Sequence, residues 1–247
     1  GRHLQLHASS MAVADVPNDA RPDLQLDDPH PFLGRSVMDH YFLPPGVSSL
    51  AKGGLLRFGL GQPAPVAQAQ RLARRNGLTW GQGLKDRLRS HFGRHRRLEL
   101  EVFHDYLPNS GTRMVLSDRR VDAFGFPVAH LDLDPDPHHR TAGAWLQRQG
   151  IRVFEALGAD DIRLGPPGDN AGYLVHGTCR AGDDPATSVL DRWCRSHEVP
   201  NLFVVDGAFM PTSGGAPPTL TILANSFRVA RHLTAALGSG DQELASP

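Results

Sequence analysis

The last third of the chain holds the residues whose order suggests chemistry. Asn201-Leu202-Phe203-Val204-Val205-Asp206-Gly207 is a continuous apolar run ending in Asp-Gly. That pattern suits a strand buried on both faces, as in a parallel sheet. Pro211 to Pro218 follows as a stiff Gly/Pro loop, and an amphipathic helix starts at Thr219. Leu220, Leu223, Ala224, Phe227 and Ala230 share one side of it, with Arg228, Arg231 and His232 towards its end. Strand, loop and helix in this order aim a helix N-terminus, with its partial positive charge, at a ligand beyond the strand's carboxyl end. One strand is not a sheet, so its neighbours are expected from elsewhere.

Other groupings point to packing. His91 and His95 have the four-residue spacing of helical metal ligands, but Gly93 separates them and Arg94, Arg96 and Arg97 crowd them, so no metal site is expected. Cys179 and Cys194 lack C-x-x-C spacing and read as small buried hydrophobes. His138-His139 read as surface residues of a helix's first turn, His40 as structural, Trp145 as core, and Phe103 and Tyr106 as sheet packing. Arginines are dense from Arg71 to Arg97. With few aromatics among them they read as a solvated face, not a nucleic-acid patch.

The elements that must position these residues are legible in part. Residues 1 to 32 show no period and read as loop or arm. Leu55 to Leu60 is a candidate strand, Val66 to Arg75 a helix closed by Gly77, and Trp80 to Phe92 a second helix. Leu98-Glu99-Leu100-Glu101-Val102-Phe103 alternates as a half-buried strand. Pro108 to Gly111 turns into a strand from Thr112 to Leu116, and a third covers Ala129 to Leu133. The short turns between these three favour antiparallel pairing. Asp136-Pro137 starts a helix that runs to Leu157 and stops at Gly158. Residues 159 to 172 read as loop. Strands followed by a covering helix give an α+β class.

Composition narrows the function classes. The 247 residues carry 26 Lys+Arg and 26 Asp+Glu, which removes the electrostatic case for a nucleic-acid or acidic-membrane binder. No stretch approaches the roughly 20 apolar residues of a membrane span. Two cysteines make no disulfide framework. Gly 26 and Pro 20 together are about 19% of the chain, against an average near 12%, and imply long loops. The chain starts at Gly1 with no charged-then-apolar leader, as a trimmed tag or a piece of a longer polypeptide would. The compartment leaves no readable trace, with the cytoplasm as the default expectation.

Five segments together carry a resemblance: His176-Gly177-Thr178-Cys179-Arg180-Ala181-Gly182-Asp183-Asp184-Pro185; Ser188-Val189-Leu190-Asp191; Asn201 to Gly207; Pro211-Thr212; and Pro218-Thr219-Leu220-Thr221-Ile222. In this order they resemble the C-terminal signature of the glucose-methanol-choline (GMC) oxidoreductases, FAD-dependent oxidases and dehydrogenases of alcohols and sugars. Gly34-Arg35-Ser36-Val37-Met38-Asp39-His40 resembles that family's lead-in to its substrate domain, and Leu98 to Gly158 that domain's sheet and helix. The look is nearest to the gluconate- and glycoside-oxidising bacterial branch.

The resemblance implies an arm (1–33), a substrate-binding domain (34–170) built on an antiparallel sheet with covering helices, and a C-terminal return (171–247). That return would be a strand-loop-helix belonging to an α/β FAD-binding domain. The Gly-rich ADP-binding half is absent, and no G-x-G-x-x-G occurs. It further implies FAD as cofactor, an alcohol or sugar as substrate, and a separate FAD-binding N-terminal chain as a possible partner. His176 would be the base that accepts the hydroxyl proton while hydride goes to the flavin. Asp206 and Gly207 would lie along the cofactor, and Thr219 and Leu220 at the helix start would face the flavin's pyrimidine side.

Three departures from the family pattern stand in the sequence. His176 directly precedes Gly177, and strict alignment puts Leu174 at the family histidine's position. Pro217 occupies the place of an assisting Asn or His and has neither side-chain donor nor N–H. Ala181 replaces a Met. The alternative expectation is a non-catalytic remnant or split-gene fragment that binds no flavin alone.

Overall fold

The computed structural model describes residues 1–6, 8–20, 34–50, 52–60, 65–75, 77, 80–134, 136–165 and 175–238. Its centre is a five-stranded, wholly antiparallel sheet. Strands β1 (Ala8–Pro17), β2 (Arg35–Val37), β3 (Gly54–Leu60), β4 (His95–His104) and β7 (Asp161–Leu164) lie in the order β2-β3-β4-β1-β7. Strands β5 (Arg113–Val121) and β6 (Pro127–Asp132) form a separate two-stranded ribbon. The helices are α1 (Pro65–Arg75), α2 (Gln82–Arg94), α3 (His138–Ala156) and α4 (Thr219–Gly238). No helix among the described residues is long and apolar enough to cross a membrane.

Alternation explains the main layer. Leu98, Leu100 and Val102 of β4 and Ala12, Ala14 and Val16 of β1 are buried on one face, under Ala142, Leu146 and Phe154 of α3. Helix and sheet approach closely because α3 carries glycines there. A Cβ on Gly150 would meet Leu100 Cδ2 at 2.2 Å, and one on Gly143 would meet His104 Nε2 at 2.8 Å. At the helix start Asp136 accepts a 2.8 Å bond from the His138 N–H, and Gly158, at φ 77°, ends the helix.

Several expectations are corrected. Ala8–Pro17, read as loop, is β1, paired on both sides with β4 and β7. Its inward residues are mostly alanines, small enough for the close helix and too weakly apolar to show a period. Asp161–Leu164, also read as loop, is an edge strand of four residues, too short to show alternation. The strands after β4 do not pair with it, because β1 and β3 occupy both of its edges. His138 and His139 are buried, not surface residues.

The run Asn201–Gly207 is not a ladder strand. It makes one antiparallel bridge, Phe203 with Arg195, and then turns through a 3-10 segment at Gly207–Phe209. Its neighbours are the loop around Leu190 and Cys194 and the inner side of α4. In α4 that inner side holds Val229 and Leu233, whereas Leu220, Leu223 and Phe227 face outward.

Candidate active site

Two buried nodes converge on the Pro211–Pro218 loop. The first lies at the end of β4. Asp105 is 1% exposed. Its Oδ1 accepts the Ser213 hydroxyl in a short hydrogen bond and the Gly214 N–H at 3.1 Å, while Lys52 Nζ lies 3.3 Å from Oδ2. Ser213 Oγ in turn accepts the Tyr106 N–H at 2.6 Å, and the Tyr41 hydroxyl donates to the Gly214 carbonyl at 3.0 Å. One carboxylate thus fixes a loop whose glycines 214 and 215 sit at φ 78° and 65°, a left-handed region that a side chain would strain.

His139 completes this node. Its ring stacks on Tyr106 with centroids 4.0 Å apart, and its Nδ1 lies 3.3 Å from the Asp105 carbonyl. Burial pushes the His139 pKa below the ordinary 6.5, and burial raises that of the Tyr106 phenol. The unfolded chain therefore takes up a proton on His139 before the folded protein does. Stability that depends on the neutral ring is complete above pH 6.5 and falls as pH drops below it. The expected outcome is a melting temperature that declines below that pH, with a smaller decline in His139→Phe, measured by calorimetry.

The second node contains the sequence-predicted residues. His176 is 1% exposed and exchanges backbone bonds with Gln5 at 2.8 and 2.9 Å. Gln5 Nε2 donates to the Pro211 carbonyl at 3.1 Å, which ties the node to the same loop. Gly177, Cys179 and Ala181 donate to the carbonyls of Gly207, Ala208 and Phe209 at 2.8–3.3 Å. A Cβ on Gly207 would stand 3.3 Å from His176 Cβ and 3.2 Å from Ile222 Cδ1 of α4. The fold thus brings His176, Gly207 and the first turns of α4 together. Asp206 is exposed, and its Oδ1 accepts the Ala208 N–H at 2.8 Å. Thr219 and Leu220 are exposed at the start of α4, whose first turn has no acidic residue. Leu174 lies outside the described residues. Pro217 is exposed.

Gly177 locks this node. It sits at φ 88°, and a Cβ there would lie 2.5 Å from Gln5 Nε2 and 2.6 Å from the His3 carbonyl oxygen. Gly177→Ala is expected to destabilise the protein by at least about 2 kcal/mol, from left-handed strain plus overlap, read as a lower urea midpoint at unchanged slope.

Asp105, Lys52, Ser213, His139 and Gln5 carry no sequence signal of their roles. They are single polar residues from separate segments. The end of β4, the start of β3, α3, the N-terminal segment and the 211–218 loop must all meet before they touch.

Beside this node the exposed start of α4 offers an anion-favouring helix end. A family model described as GMC oxidoreductase matches residues 108–226. Among relatives, paromamine 6'-oxidase of Streptomyces fradiae is 44% identical over 135 residues, 54% of this chain and 25% of that protein. The 6'''-hydroxyparomomycin C oxidase of Streptomyces lividus is 39% identical over 59% of this chain and 27% of its own length. The 2-methyl-1,2-propanediol dehydrogenase of Mycolicibacterium austroafricanum is 36% identical over 63% and 28%. The chain spans about a quarter of the length of the curated relatives it matches.

Proposed function

We propose that this chain, whose residues 108–226 belong to the C-terminal part of the GMC oxidoreductases, serves an FAD-dependent oxidation of a CH–OH group of a sugar or polyol. The observation that carries the reading is the convergence of His176, Gly207 and the first turns of α4 on one buried node. The similar proteins are two oxidases and a dehydrogenase, which agrees with it.

The local chemistry fits a flavin. The start of α4 is exposed and free of acidic side chains, so its positive end is available to an electron-rich ring edge. Asp206, Gly207, Thr219 and Leu220 would hold the cofactor. Gly207 has no side chain, which lets His176 and Ile222 of α4 close on the backbone there. FAD, when bound, supplies the hydride acceptor. His176 would hold the proton of the substrate hydroxyl, which a neutral imidazole accepts near neutral pH. Asp105 would keep the 211–218 loop, and with it the start of α4, in register. Residues 34–170, with β1 (Ala8–Pro17) inside their sheet, would form the substrate-binding part and 171–247 the return to an FAD-binding part.

A second reading has its own support. His176 is nearly inaccessible, and Pro217 offers no donor, as a non-catalytic remnant that binds no flavin would allow. Absorbance and melting curves separate the two, recorded for the chain alone and with the protein encoded immediately upstream. A yellow complex whose melting temperature rises with FAD supports the enzyme. Colourless preparations with no FAD-dependent shift support the remnant.

A further inference from the structure

A cavity of about 800 Å³ lies on the face of the main sheet opposite α3, between β1, β4 and β7 on one side and α1 and α2 on the other. That volume suits a small molecule. Val13, Ala67 and Leu72 give it an apolar wall, and four arginines face it: Arg71 and Arg74 from α1, Arg97 from β4 and Arg163 from β7.

The arginines differ in their partners. Arg163 is held by two carboxylates, Asp15 at 2.8 Å and Asp161 at 2.8 Å. Arg97 stands directly across the ladder from Asp15. Yet Asp15 turns its Oδ2 to Arg163, and Arg97 Nε is buried with no hydrogen-bond partner among the described residues. Leaving a buried guanidinium N–H unsatisfied is costly. Arg71 and Arg74 form no ion pair with a described residue, and Glu99 is the one carboxylate among the lining residues. His91 completes the lining. Its pKa is lowered by burial first, opposed by Asp15 and reinforced by Arg97, Arg163 and His95.

We infer that this cavity binds a small molecule bearing an oxyanion group, a phosphate or a carboxylate, through Arg97, Arg71 and Arg74. Guanidinium forks match such groups in pairs of parallel hydrogen bonds, and an oxyanion would satisfy the orphaned Arg97 N–H. The zero net charge of the whole chain and the limited volume favour a small ligand over a nucleic acid.

Isothermal titration at constant ionic strength tests this, with inorganic phosphate, citrate and neutral sorbitol as probes. Saturable binding of phosphate or citrate, with none of sorbitol, is expected, and the stronger of the two names the group. Arg97→Gln and the Arg71→Gln/Arg74→Gln pair should each weaken it about tenfold, while Arg119→Gln, on exposed β5, should leave it unchanged. The Arg71 and Arg74 side chains lie on exposed positions of α1, so this pair decides the matter should Arg97→Gln fail to fold. Non-saturable heats, equal loss in Arg119→Gln, or full binding in the Arg71/Arg74 variant would overturn the inference.

Discussion

His176→Gln is expected to slow substrate-driven reduction of bound flavin by roughly a hundredfold to ten-thousandfold while leaving FAD affinity unchanged. The range is that of a lost general base. Glutamine keeps a polar side chain of similar reach but takes up no proton at neutral pH. The geometry sharpens the test. His176 is 1% exposed and lies against Gly207, so its ring meets a substrate only if the atoms covering it move aside. If the residue merely shapes Gly207 and the backbone beside it, the substitution weakens FAD binding and leaves the reduction rate per bound flavin intact. Stopped-flow reduction and an FAD titration on the same variant separate the two roles. The pH profile adds a third readout. A base at this position gives a rate that falls on the acid side as the imidazole becomes protonated, and the variant loses that limb.

Asp105→Ala is expected to cost about 3 kcal/mol of folding free energy, the low end for breaking a buried charge pair. The low end applies because Lys52, 31% exposed, returns to water once its partner is gone. Ser213, 1% exposed, and the Gly214 N–H lose their acceptor without such relief. For a chain of this size that loss lowers the melting temperature by roughly 6–12 °C. Asp105→Asn keeps one acceptor oxygen and should lie between wild type and alanine. A loss below about 1 kcal/mol, measured by urea unfolding at unchanged slope, would mean that the 211–218 loop is held by its own stiffness and not by Asp105. Because that loop leads into α4, the same variant should also bind FAD more weakly.

The sequence was readable where one physical signal dominates. The helices α1 and α3 and the start of α4 follow from apolar spacing and from Gly77 and Gly158 at left-handed stops. Strand β4 follows from Leu98, Leu100 and Val102 alternating with glutamates. Strand β1 escaped because its inward Ala12 and Ala14 are too weakly apolar to show a period, and the core that buries them is closed by a helix more than a hundred residues away. The apolar side of α4 was legible as a stripe, but its direction was not, since Leu220, Leu223 and Phe227 face outward. In the candidate site, Gly207 and His176 were reached through the resemblance to a family signature, and the helix start through the strand-loop-helix pattern. Asp105 did not, because one aspartate after a strand has no spacing to betray it.

On the proposed reading, the His176–Gly207–α4 face serves a flavin that takes hydride from an alcohol. Anaerobic addition of sugars and polyols to the FAD-loaded protein, followed at the flavin's visible absorption band, tests it most directly. At least one such compound is expected to bleach the band, and air or an added electron acceptor to restore it. A band that no hydroxylated compound bleaches, in a protein that retains FAD, would contradict it.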